Sequence, residues 1–136
     1  MGERAYVDAN VLLRVLTNDP PEMVEQARKL LGRVSRGEVT LVLDPLVIAE
    51  MVWVLSSYYK VPRRQLGTTL LEMCETEGFE VKEKGVVVQA LRNYVQTSVD
   101  FIDAYLAARC NAEACPVYSF DRDHFAKLAT KWLPPE

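Results

Sequence analysis

The feature that most constrains the fold is the run Val39-Thr40-Leu41-Val42-Leu43, continuous, largely apolar and of β-branched character. Such a run suits a strand covered on both faces, as in a parallel sheet packed between helices. Helical patterns flank it. Residues 4–7 read as a strand that stops at Asp8, and Val11, Leu12, Val15 and Leu16 then share one side of a helix. Asp19-Pro20-Pro21-Glu22 starts a second helix, since prolines suit a first turn and an acid suits its positive end. Met23, Ala27, Leu30, Leu31 and Val34 keep helical spacing up to Gly37. After the apolar run, Asp44 is the expected N-cap and Pro45 the first residue of a helix whose buried stripe is Val47, Ile48, Met51, Val52 and Leu55.

The alternation continues to the C-terminus. The pattern predicts a helix over residues 63–76 ended by Gly78, a brief strand over 79–81 and helices over 84–95 and 100–111. A strand over 116–120, stopped by Asp121, and a short helix over 122–130 complete the order. Strands separated by helices long enough to serve as crossovers imply an α/β three-layer sandwich, a mostly parallel central sheet flanked by helices. At 136 residues, 49% hydrophobic and without a Pro/Gly/Ser-rich linker, one core and a single domain over residues 1–136 are expected.

No apolar run approaches the roughly 20 residues that cross a bilayer. Asp8 and Asn10 interrupt what would be the apolar core of a signal peptide, so a cytoplasmic protein with no membrane partner is expected. Cys74, Cys110 and Cys115 are an odd set without CxxC spacing and read as buried thiols, not as a disulfide framework or a zinc site.

In sheets of this kind, ligands bind outside the carboxyl ends of the strands, where strand order reverses. Asp8 and Asp121 each follow a predicted strand, and Glu50 and Asp103 lie near the starts of helices that begin on the same edge. Carboxylates gathered in a cleft must take up protons or be neutralised by a cation. Oxygen ligands favour a hard ion, so Mg²⁺ or Mn²⁺ is expected at Asp8, Glu50, Asp103 and Asp121. Such an ion activates water against a phosphodiester without histidine or a covalent intermediate. The net charge of −3 is no obstacle, because setting these four acids aside leaves 16 basic against 15 acidic residues. Competing chemistries are poorly supplied. His124 is the single histidine, and no GxGxxG or GxxxxGK[ST] occurs.

With these residues in view, the chain resembles the PIN-domain family, and more narrowly the VapC-type toxins of prokaryotic toxin–antitoxin pairs, over nearly its whole length. VDANVLLRVLTND assigns Asp8 as first ligand, IAEMVWVL assigns Glu50, DFIDAYLAA assigns Asp103 and SFDRDHF assigns Asp121. The resemblance implies an Mg²⁺- or Mn²⁺-dependent endoribonuclease with an RNA substrate, a homodimer and a cognate antitoxin that blocks the site. Asp44 departs from it, standing where a neutral hydroxyl residue is expected. Two alternatives belong to other classes: a catalytically silent RNA- or protein-binding module, and a receiver-like or phosphatase domain. The phosphatases need DxD, whereas Asp8-Ala9-Asn10 stands here.

Each candidate has a plainer reading beside the functional one. Asp8 suits an N-cap and Glu50 an exposed helix face, although Ala49 and Met51 beside it favour burial. Asp100 reads as a cap or supporting acid, three residues before the ligand Asp103, and Asp123 as a cap of the last helix. Asn10 orients a ligand or satisfies its helix start; Arg14 reaches a substrate phosphate or is simply solvated. His124, beside Asp123, is expected on a solvated helix start. Lys60, Arg63 and Arg64 guide RNA, receive an acidic partner tail or are simply solvated, core packing is the default for Trp53, and Tyr58 and Tyr59 are open between packing and a partner groove.

Overall fold

A computed structural model describes residues 2–136. Its middle strand is the run that the sequence singles out, β2 (Val39–Leu43). It pairs in parallel with β1 (Glu3–Tyr6), in the register Ala5 to Leu41, and with β3 (Phe79–Val81), in the register Val42 to Glu80. Only a strand covered on both faces can do without polar alternation, and Leu41, Val42 and Leu43 are almost fully buried.

The helices follow the predicted starts. β1 leads to α1 (Ala9–Thr17) and α2 (Pro21–Ser35), and β2 to α3 (Pro45–Ser57) and α4 (Arg63–Cys74). β3 leads to α5 (Lys84–Gln96) and α6 (Phe101–Glu113). Asp44 caps α3 as expected, its Oδ1 accepting from the Leu46 amide at 2.9 Å. Gly78 makes the turn into β3 at φ 96°, where a side chain is disfavoured, and its carbonyl accepts from the Leu41 amide at 2.8 Å. The result is the α/β sandwich with helices flanking a parallel sheet.

The C-terminal part departs from expectation. Of the strand expected over 116–120 only β4 (Val117–Tyr118) forms, and α7 (Arg122–Lys127) stops before residue 130. Beyond it, Ala129 has φ 53° and the chain enters β5 (Trp132–Leu133), which pairs in parallel with β4 and was not expected. β4 and β5 form a ladder separate from β1–β2–β3 among the described residues. Two core clusters match the two ladders. Val99, Ala104, Ala107, Cys110, Val117, Phe125 and Leu128 form the smaller one. α6 serves both: Phe101 and Ala108 face the larger cluster, and Ala104 and Ala107 the smaller. Small residues let a helix approach closely on two sides, which fixes the first turn of α6 between the halves.

Some packing expectations are corrected. Trp53 is 67% exposed, because the buried stripe Ile48, Met51, Val52 and Leu55 turns it outward. Cys115 is exposed, unlike Cys74 and Cys110. Arg63 is not free for RNA: its Nε donates to the carbonyls of Tyr94 (2.7 Å) and Thr97 (2.9 Å), and its guanidinium lies 3.7 Å from the Tyr94 ring centroid. Tyr59 is half-buried and donates to Asp19, while Tyr58 is exposed. No helix among the described residues is long and apolar enough to cross a membrane.

Candidate metal centre

The proposed acids belong to neighbouring helices: α1 packs on α3, α3 on α6 and α6 on α7. Asp8 holds the N-cap position of α1, Asp103 the first turn of α6 and Asp121 the N-cap of α7, and Glu50 lies in the second turn of α3. Helix starts carry unsatisfied amides and the positive end of the dipole, so carboxylates tolerate crowding there better than elsewhere.

Asp103 and Asp121 come together, and His124 joins them. One oxygen of each acid and one ring nitrogen of His124 lie within 4.8 Å of one another. His124 Nδ1 is 2.7 Å from Asp121 Oδ2 and 3.3 Å from Asp103 Oδ2. Both neighbours are acceptors, so the contacts are attractive only with a proton on Nδ1. All three side chains remain one-third to two-fifths exposed, which leaves the group open to an ion and to substrate. Asp121 also caps α7, Oδ1 accepting from the His124 amide at 3.2 Å. The capping duty expected of Asp123 thus falls to Asp121, and Asp123 is exposed.

His124 is the residue that sequence reasoning misjudged. It is half-buried in the acidic group, not on a solvated helix start. The available signal was the Asp121-x-x-His124 spacing, which puts both side chains on one helix face.

Asp8 and Glu50 are exposed and lie outside the Asp103–Asp121–His124 group. Exposure corrects the burial expected for Glu50. Asp8 and Asp100 occupy N-cap positions with extended backbone, but neither side chain makes a cap bond. Asp44, by contrast, is spent on its cap. Asp100 and Asp103 both line a cavity of about 460 Å³ between α3 and α6, together with Ala49, Trp53 and Phe101. Exposed Asn10 and half-buried Arg14 line another of about 380 Å³ between α1 and α2. The Arg14 Nε is buried without a hydrogen-bond partner, so the solvated reading fails for that atom.

A parallel α/β sandwich that brings two carboxylates together at helix starts is an arrangement that can hold a divalent cation. A family model described as PIN domain matches residues 5–131, and the chain belongs to the PIN domain family. PIN is a nuclease fold; its members are commonly metal-dependent, usually with divalent ions, and generally bind RNA. No curated protein matches the chain. The donor set fits such an ion, since two carboxylates suit Mg²⁺ or Mn²⁺.

Proposed function

We propose that this chain is a single-domain endoribonuclease over residues 1–136, the toxin of a VapC-type toxin–antitoxin pair, dependent on Mg²⁺ or Mn²⁺ and acting in the cytoplasm. The observation that carries the reading is the meeting of Asp103 and Asp121 at two helix starts within a PIN domain.

Asp103 and Asp121 would hold the cation together with Asp8, and Glu50 would bind it or position the attacking water, although Asp8 and Glu50 stand outside the Asp103–Asp121–His124 group. The bound ion supplies a water of lowered pKa and neutralises charge on the phosphate. Hydrolysis forms one P–O bond from that water and breaks another, and the leaving oxygen gains a proton. Asp100, Asp123 and Asn10 orient the ligand carboxylates through hydrogen bonds, and Arg14 reaches a phosphate of the bound strand. His124 keeps the Asp103 and Asp121 carboxylates at a common distance through its Nδ1 proton.

Exposed Leu46, Trp53 and Ile102 support the homodimer, since they give α3 and α6 an apolar outer face. The cognate antitoxin acts by covering the acidic edge.

The test is incubation of purified protein with structured and unstructured RNAs in Mg²⁺, Mn²⁺ or EDTA, beside Asp8→Ala and Asp103→Asn. Cleavage should vanish with EDTA and fall at least about a hundredfold in each variant, since even groups outside the ligand set cost 10–100-fold. Metal-independent cleavage, or cleavage that persists in both variants, would sink the reading.

A further inference from the structure

Phe120 is the most exposed large hydrophobic residue among the described residues, at 91%, and it directly precedes Asp121. The side chain is free, but the backbone around it is fixed. The Ser119 amide donates to the Leu133 carbonyl at 3.2 Å, and the Ser119 carbonyl accepts from the Trp132 indole at 2.7 Å. Ser119 Oγ accepts from the Asp121 amide at 2.9 Å. A pinned loop that presents a bare aromatic ring loses apolar burial and gains nothing within the fold.

β4 ends at Tyr118, Ser119 is half-buried, and the chain bends at Phe120, which lifts the ring away from the ladder. Arg122 follows on the other side of Asp121, its guanidinium 5.8 Å from the Trp132 ring centroid.

We propose that Phe120 is a stacking platform that holds an unpaired base of the substrate strand next to the Asp103–Asp121 group and so selects single-stranded RNA. Every base has a π-face, which makes such a platform tolerant of sequence. An isolated ring on a fixed loop beside carboxylates suits a base better than a protein surface, which needs contiguous apolar area as α3 and α6 have. The proposal rests on the nuclease reading for its substrate.

The experiment uses Phe120→Ala and Phe120→Trp with a short unstructured oligoribonucleotide. Cleavage is followed in Mn²⁺, and binding through a single 2-aminopurine moved along the strand, in an Asp103→Asn background that keeps the strand intact. Phe120→Ala should melt like the parent, raise KM about fivefold or more with a smaller change in kcat, and abolish the fluorescence change at one position. Phe120→Trp should restore both. An abasic nucleotide at that position should remove the difference between parent and Phe120→Ala. Equal KM and equal fluorescence in the two proteins would overturn the platform while leaving the nuclease reading intact. A loss that persists with the abasic strand, or a changed sedimentation mass, would also overturn it and make Phe120 a protein contact. If the parent cleaves no RNA, the nuclease reading fails first, and the binding arm still decides on Phe120.

Discussion

Two sets of carboxylates in this molecule are treated in opposite ways. Three acids are matched to guanidinium groups: Arg4 grips Glu80 through two bonds of 2.9 and 2.7 Å, Arg36 meets Glu38 at 2.7 Å, and Arg109 meets Glu83 at the start of α5. These guanidinium partners hold the carboxyls of Glu38, Glu80 and Glu83 below their ordinary range. Asp8, Glu50, Asp100, Asp103 and Asp121 have no Lys or Arg at ion-pair distance among the described residues; His124 contacts two of them. Two unit charges of one sign 4 Å apart near a protein surface repel by roughly 4 kcal/mol. Asp103 and Asp121, whose carboxylate oxygens lie within 4.8 Å of one another without a Lys or Arg partner, are the pair whose repulsion a cation from outside would relieve.

The largest effect expected from that difference is on stability in metal. Millimolar Mn²⁺ should raise the melting temperature on the order of 10 °C if it exceeds the dissociation constant a hundredfold, which corresponds to about 2.7 kcal/mol. Asp103→Asn should remove most of that increment. Without metal it should be no less stable than the parent, because a repulsive charge has gone. A melting curve indifferent to Mn²⁺ would erase the distinction between the two sets.

How much of this was legible depended on whether a residue's role is local. The β2 run and Pro21 and Pro45 state their structure in a few adjacent residues, and the sandwich followed from them. The second ladder did not, because β5 is two residues long, ahead of Pro134 and Pro135, and carries no periodicity. Asp8 and Asp121 could be picked out because they stand where strand gives way to helix, and Asp103 because it lies in the first turn of its helix. His124 was missed because its contact with Asp103 spans 21 residues and depends on where α6 and α7 pack. The misjudged burial of Glu50 was avoidable. Leu46, Glu50, Trp53 and Ser57 recur at helical spacing opposite the buried stripe, and all four are exposed.

A middle-sized effect separates two aspartates that look alike in sequence. Asp44 and Asp8 both precede a helix, but only Asp44 makes the cap bond. Asp44→Ala should therefore lose about 1 kcal/mol in denaturant unfolding, the usual cost of a lost cap. Asp8→Ala without metal should stay within about 0.5 kcal/mol of the parent, as for surface positions that make no special contact. An equal loss at both would mean that Asp8 is a structural cap.

The smallest effect is expected on the paired side. Glu80 is lowered to about 2, first by the hydrogen bonds from Arg4 and then by its charge, against an ordinary 4.5. A carboxyl depressed by folding adds stability that is fully present above the unfolded value near 4.5 and is lost as pH falls towards 2. Because Arg4 and Glu80 are each about half exposed, solvent and salt screen the pair, and Glu80→Gln should cost little at neutral pH. The informative quantity is the slope. Between pH 4.5 and 2 the parent should lose stability faster than Glu80→Gln, and the gap should shrink in molar salt. Parallel curves would show that the Arg4–Glu80 contact contributes nothing, and the contrast would then rest on the helix starts alone.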